Sequence, residues 1–579
     1  MGVPEVLREW EVARGDLVAL AAVPEVGFAM ATAAGRWSES SSVADAARVV
    51  RAVEAEIRPR WVMWSNATSA PLVAAGVRVA TSWDIAGVHR LVFGGWRADP
   101  ARVWALLHDR PLDAIPTAAP PDLFTQISPD DDASDEPVRG DGYLRPEWVS
   151  GGWSATPERL ARWAELALVV AGLQRLRLVA LADRPMALAT ARSESAAELL
   201  CAELSADGLP MSRDIAESLI AGFVGARPRS EAEANRQRAE RDAEVLRHTP
   251  FARDCDLRSP GQVKSLLRSV GIEVPDTRAW RLEALRDAHP LVGALLTWRK
   301  AERVATTYGY AWLDENLHDD GRLRGAWSGS DGAAGRMTAS AGLHNMPADM
   351  RDAVVAETGH VFVRADLGQI EPRVLAAVSG DRMLAAATTE ADMYAPVAQQ
   401  LGVDRATAKV AVLGAMYGQT TGHGARALRG LEAAYPVAMA YLQEADRAGQ
   451  LAQPLRTYGG RLISMGSISD DDDLSDRDAQ SRAAARGRYG RNAMVQGAAA
   501  ELFKAWAVTV RARGAALDAR IVLCLHDELL VHTPTEHGEA VARLLHECLR
   551  EAAYRWAPDD SVRFVADVNV IDRWSDAKD

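Results

Sequence analysis

The chain has 579 residues, 48% of them hydrophobic, enough for two or more domains with cores of their own. A formal charge of −13 argues against a protein coated in basic surface but leaves nucleic-acid binding open, because local clusters, not the sum, contact phosphates. Four cysteines, Cys201, Cys255, Cys524 and Cys548, lack metal-type spacing and read as reduced thiols of a cytoplasmic protein, with no signal peptide, internal repeat or apolar run of membrane length.

Residues 1 to about 185 alternate short apolar runs, such as 17–23 and 60–64, with alanine-rich helical stretches, including 43–57 and 103–107. That pattern predicts an α/β unit. Two acidic runs, 130–136 and 470–478, read as solvated loops. Residues 193–204 and 211–223 read as amphipathic helices, and 225–248 as a charged, solvated helix with no continuous apolar face. Further helices are expected within 259–272 and 289–309, the second carrying Arg299, Lys300 and Arg303. Arg336 falls in 332–347 (GAAGRMTASAGLHNMP), which by itself reads as a surface loop.

Residues 360–381 (HVFVRADLGQIEPRVLAAVSGD) begin with strand alternation and run into Asp366. A helix follows, with Gln369, Ile370 and Glu371 in its opening turn, where Pro372 is tolerated. An acid thus ends a rigid strand and a second acid lies one turn along, although an ordinary βα corner with a capping Asp has the same look. Residues 404–419 are helical through their middle and place Arg405, Lys409, Leu413 and Tyr417 on one stripe, followed by Gly418. Arg and Lys one turn apart suit a polyphosphate, or form a solvated basic face. Residues 520–534 (RIVLCLHDELLVHTP) read as a tight hairpin with His526, Asp527 and Glu528 at its tip. Acids at two strand ends far apart in sequence are what a pair of hard divalent cations needs.

These stretches, in this order, resemble the family A DNA polymerases, relatives of bacterial DNA polymerase I. Asp366-x-x-Gln369-Ile370-Glu371-Pro372-Arg373 resembles the first palm motif, Arg405-x3-Lys409-x7-Tyr417-Gly418 the fingers helix, and His526-Asp527-Glu528 the last palm motif. The resemblance extends to the segment around Arg336, to Arg491-Asn492 and Gln496-Gly497, and to a closing strand at 562–574. It implies an α/β, RNase H-like exonuclease-like domain over 1–185 and an α+β right-hand polymerase over 186–579. The thumb would span about 186–330, the palm about 331–385 and 492–579, and the fingers about 386–491.

The implied reaction is template-directed addition of dNTPs to the 3′ end of a primer–template, in replication or repair. Asp366, Asp527 and the backbone carbonyl of Leu367 would hold two magnesium ions, with manganese as a substitute, and Glu528 would support them. Lys409 and Arg405 would hold the triphosphate. Gln369, Leu413, Tyr417 and His526 would complete the nucleotide site, and Glu371 would exclude a 2′-hydroxyl. Arg336, Arg373, Asn492, Gln496 and Gly418 would contact DNA. The family's aromatic is replaced by Leu413, so weaker nucleotide stacking and poor uptake of chain terminators are expected.

The exonuclease ligands are missing. The best match to the first-strand Asp-x-Glu, within Phe28-Ala29-Met30-Ala31-Thr32, has alanine at both acid positions. Asn66 is followed at the required spacing by Ala70, and Tyr143 by Glu147. An inert first domain is therefore expected. The chain is expected to be a monomer, cytoplasmic and nucleoid-associated, with a separate 5′ nuclease and a ligase in any repair pathway. Alternatives are a weakly active primer–template-binding paralogue that recruits repair partners, and a retained 3′–5′ exonuclease.

Overall fold

The computed structural model describes residues 3–117, 136–249, 255–418, 424–466 and 476–577. Most of the two acidic runs expected as loops lies outside these residues. The chain forms two compact units: Met1–Asp207 with Ala326–Ala339 and Gly359–Ile571, and Gly208–Gly325 with Ser340–Thr358 and Asp572–Asp579. Among the described residues no helix is long and apolar enough to cross a membrane.

After a short helix, Val3–Glu9, the first unit forms β1 (Leu17–Val23), β2 (Gly27–Ala31), β3 (Arg36–Glu39), α1 (Val43–Glu56), β4 (Arg60–Met63) and β5 (Ser82–Asp84). The sheet order is β3-β2-β1-β4-β5, with β1, β4 and β5 parallel and β2 and β3 antiparallel to their neighbours. Alternation decides which side chain goes where. Val18, Leu20, Phe28 and Met30 pack with Val50 and Val53 of α1. Ala19, Ala21, Ala29 and Ala31 face the other way, among Trp64, Trp83, Trp148 and Trp163. Trp163 belongs to α2 (Pro157–Val179), which covers that face. The stretch expected as the first strand, Phe28–Thr32, forms β2 instead. The true first strand, LVALAAV, also carries no acid.

Helix α3 (Ala187–Asp207) departs from the amphipathic pattern expected of 193–204, because its glutamates are buried along with its apolar residues: Glu194, Glu198 and Glu203 are 2%, 3% and 7% exposed. Glu203 takes Arg511 on two hydrogen bonds of 2.7 Å, which draws this helix into the first unit, away from the thumb segment in which it was expected.

The second part of this unit is a four-stranded antiparallel sheet. A short hairpin, β6 (Trp327–Ser328) with β7 (Thr338–Ala339), precedes the central strand β8 (His360–Leu367). Next come α4 (Ile370–Ser379), α5 (Arg405–Tyr417), the pair β9 (Leu455–Arg456) and β10 (Leu462–Ile463), α6 (Asp476–Gly514), the hairpin β11 (Arg520–Leu525) and β12 (Glu528–Pro534), α7 (Gly538–Trp556) and β13 (Ala566–Ile571). The order β11-β12-β8-β13 places β8 inside. The sequence ends α5 cleanly. Asp404 caps it by accepting the Thr407 N–H at 2.9 Å, and Gly418 leaves it at φ 68°, where an added Cβ would meet Arg488 Cγ at 2.9 Å. Gly418, expected at DNA, serves this turn.

The second unit is mainly helical. Ser212, Ser230, Ser259 and His289 cap the helices Arg213–Val224, Glu231–Leu246, Pro260–Ser269 and Pro290–Thr307. Glu231–Leu246 buries only Val245, as expected of a solvated helix. The basic residues noted on the last of these helices are engaged within the unit. Arg299 donates to the Thr277 carbonyl, Lys300 pairs with Asp349 at 3.3 Å, and Arg303 donates to the Asn345 carbonyl. The 340–358 and 572–579 segments, expected in the palm, belong here too: Trp574 donates its N–H to the Val354 carbonyl and lies under Arg351.

Arg373, on α4, corrects another expectation. It is fully buried, and its guanidinium donates to the carbonyls of Gly368, Thr388, Arg563, Glu390 and Ala391 and to Gln369 Oε1. With its donors spent inside, it holds the start of α4 to the two chain segments beside it and does not reach DNA. Arg373→Ala would orphan several buried carbonyls and should lower stability by about 3 kcal/mol or more. Urea unfolding should show an earlier midpoint, and Arg373→Lys, without the fork, should recover little.

Candidate active site

Strand β8 delivers Asp366 between two other carboxylates. The register sets Asp366 opposite Glu528 of β12 and opposite Asp567 of β13, so three acids line one face of three adjacent strands. Asp567 was not picked out in the sequence, where it is one acid in an unremarked closing strand. Beneath them Arg364, also overlooked, reaches Glu528 at 2.9 Å and Asp366 at 3.3 Å. The Glu528 side chain is 6% exposed and that of Asp366 37%, so Arg364 and Glu528 form the buried pair and Asp366 stays open. Burial first, then the charge on Asp527, pushes the Asp366 carboxyl up to about 6 against the pull of Arg364.

The tight hairpin read from the sequence is present, but its turn has two residues: Leu525 pairs with Glu528 around His526-Asp527, so Glu528, expected at the tip, starts β12. His526 takes φ 55°, an unusual conformation for a residue with a side chain, and is exposed. The Asp527 carbonyl accepts the Leu367 N–H at 3.0 Å, which locks the turn to the end of β8. Burial raises the Asp527 carboxyl, with Glu371 adding to the rise and His526 and Arg336 opposing it. This donor set fits a divalent cation: hard oxygen ligands gathered at neighbouring strand ends, with the Asp366 and Asp527 carboxyls raised first by burial.

Glu371 joins the two halves of the site. Its carboxylate accepts the Tyr417 hydroxyl at 2.6 Å and the Arg336 guanidinium at 3.1 Å. The Tyr417 hydroxyl is raised by burial and by this acid. The left-handed residue before α4 is Gln369, φ 50°, whose Oε1 accepts from Arg373 and from the Met393 N–H. That oxygen, expected toward nucleotide, is therefore turned inward. On α5, Lys409 is exposed and has no ion-pair partner among the described residues, whereas Arg405 pairs with Asp392 and lies over Tyr394. Leu413 is half-buried against the apolar cluster around α5. Asn492 and Gln496 lie one turn apart on α6, both half-buried. Their neighbour Arg491 donates to the Ala415 carbonyl at 2.6 Å and fastens α6 to α5.

The profile of DNA polymerase family A matches residues 228–576. DNA polymerase I of Chloroflexus aurantiacus is 32% identical over 305 residues, 47% of this chain and 31% of that protein. The thermostable DNA polymerase I of Thermus aquaticus is 32% identical over 332 residues, 52% of this chain and 38% of that protein. The chain thus spans about a third of the length of these curated relatives. The POL domain of Pol1 from M. smegmatis, solved in complex with DNA primer-template and dNTP, superposes with a TM-score of 0.69 at 20% identity, over 99% of this chain and 98% of that one. The fold is that of a right-hand polymerase, and with the family profile matched over more than half of its length, the chain belongs to DNA polymerase family A.

Proposed function

We propose that the chain is a template-directed DNA polymerase that adds deoxynucleotides to a primer 3′ end by phosphoryl transfer. The carboxylate cluster carries this reading: Asp366 lies opposite Glu528, and the Asp527 turn is tied to Leu367 beside it, while Glu371 meets Tyr417 and Arg336. Asp366 and Asp527, with the backbone carbonyl of Leu367, would hold two magnesium ions, and manganese could replace them. When bound, such ions lower the barrier by neutralising charge that develops on the phosphoryl oxygens and by orienting the attacking hydroxyl.

The protein's own groups supply the rest. Lys409 takes the phosphate nearest the reacting bond, and Arg405 exchanges Asp392 for the outer phosphates. Glu371 closes the space where a 2′-hydroxyl would lie, and Tyr417 holds it there. His526 meets the primer end or the triphosphate. Arg336 reads minor-groove acceptors shared by all correct pairs, so it senses pair shape and not sequence. Asn492 and Gln496 face the template.

The first domain is proposed as exonuclease-like and inert. Its strand order supports the likeness. In support of inertness, the β1 and β2 alanines face tryptophans: Trp64 and Trp163 stack at 4.4 Å and Trp153 on Trp163 at 5.4 Å. Alanine and indole offer no oxygen ligand to a cation.

A primer-extension assay with magnesium and four dNTPs tests both readings. Wild type should extend the primer, Asp527→Ala should not, and a lane without dNTPs should leave the primer intact. No extension with DNA binding retained would favour a non-catalytic primer–template binder, and shortening of the primer in wild type and variant alike would overturn the inert domain. A carboxyl raised to about 6 keeps its proton below that pH and must release it to a cation. Magnesium affinity, measured by calorimetry, should therefore fall by up to about tenfold per pH unit below pH ~6 and level off above it. Leu413→Phe should restore a stacking surface worth about 1–3 kcal/mol, lowering the dNTP KM roughly fivefold or more, as steady-state kinetics would show.

A further inference from the structure

Beneath the loop that carries Arg336 lies a charged cluster with no part in the reaction just described. Glu194 on α3, Arg461 just before β10 and Lys504 on α6 have side chains at most 2% exposed. Glu194 pairs with Arg461 at 2.6 Å through one oxygen and with Lys504 through the other. Lys504 Nζ then donates to the Gly335 carbonyl at 2.7 Å and the Gly329 carbonyl at 3.2 Å. Arg461 donates to Ser330 Oγ at 3.2 Å.

The loop closes on itself as well. The Asp331 N–H donates to the Arg336 carbonyl at 2.9 Å, and the Asp331 carboxylate accepts the N–H groups of Ala333 and Gly335 at the same distance. Gly335 sits at φ +78°, and a Cβ there would meet Arg461 Nε at 2.2 Å. Both peptide groups flanking Arg336 are thus fixed, one by Lys504 and one by Asp331.

We propose that Glu194, Arg461 and Lys504 are positioning residues for Arg336, setting the loop from which it reaches Glu371 and the primer end. This rests on the reading of Arg336 given above. A buried ion cluster is a poor source of stability compared with apolar packing, so its retention calls for another use. Here the charges are spent on two carbonyls and one hydroxyl of a single nine-residue loop between β6 and β7. Burial works to raise the Glu194 carboxyl, yet Arg461 and Lys504 outweigh it and keep it below the usual range, so the group stays ionised.

Single-nucleotide addition by the full chain tests the proposal, with R336A, K504M and the double variant compared and kcat separated from the dNTP KM. If Lys504 acts through Arg336, K504M lowers kcat about as much as R336A does, on the order of tenfold, and leaves KM within about twofold. The double variant then loses less than about twofold beyond R336A alone, and K504R recovers part of the loss. Losses that multiply, or a wild-type kcat in K504M, would overturn it. Should K504M fail to fold, E194Q and S330A enter the same cycle under the same criteria. Hydrogen exchange at amides 331–337 gives a readout independent of turnover: K504M, or E194Q in its place, should speed it there more than at amides elsewhere in the same unit, and the absence of such a local excess counts against the proposal. A wild type that adds no nucleotide would sink the polymerase reading, and the exchange result would still decide the positioning.

Discussion

Asp366 has a carboxylate opposite it on either neighbouring strand, Glu528 on one side and Asp567 on the other. Like charges directly opposite one another destabilise an antiparallel pair, and here two such oppositions share one residue. The sheet resolves half of the problem itself. Arg364, two residues back on the same face, lies under the row and takes Glu528 into a buried ion pair. That contact divides the acids into two kinds. Glu528 is neutralised from below, while Asp366 is left more open, its carboxyl raised by burial first and then by the charge on Asp527. An excess of negative charge built into a rigid central strand is a standing demand for a cation, and the fold cannot relax it without breaking the register.

The groups around that demand are linked to one another. Glu371 receives Arg336 from the β6–β7 loop and Tyr417 from the end of α5, so one carboxylate joins three chain segments. Arg405 is held differently. Its pair with Asp392 is exposed, with 55% and 35% of the two side chains open to solvent. Exposed pairs of this kind are worth about 0–1 kcal/mol, so releasing Asp392 costs Arg405 little. The site thus combines a fixed floor with an arm whose resting contact is weak enough to give up.

What the sequence revealed and what it hid divide along a physical line. The α5 boundaries were legible because Asp404 and Gly418 are local signals for a start and a stop. The hairpin at His526-Asp527 was legible because apolar alternation flanks it on both sides. The family resemblance placed Asp366, Glu371 and Tyr417, and the structure brings Glu371 and Tyr417 into contact. Buried charges were illegible. Arg373 reads as an outward basic residue on a helix, and nothing local says that its acceptors include a carbonyl 190 positions away, that of Arg563. Glu194 and Lys504 read as ordinary solvated helix residues for the same reason. The first strand was misplaced because alanines alternate on β1 and β2 alike, and periodicity gives a face but not a position in the sheet.

Helix α3 ties the first domain to the rest of its unit. Glu194 and Glu198 lie one turn apart on it, and their partners come from opposite ends of the chain. Glu198 accepts from Asn66 at 2.9 Å and from Arg90 at 2.8 Å, both in the first domain. Glu194 serves Arg461 and Lys504, which hold the Arg336 loop. Burial and its partner carboxylate Glu198 already push Asp84, at the end of β5, well up. Deleting the first domain would strip Glu198 of the two side chains that satisfy it, on the very helix whose next turn steadies the candidate site. A buried carboxylate deprived of its partners is among the costlier defects a fold can carry. The first domain thus completes the charge balance of a helix that both parts share.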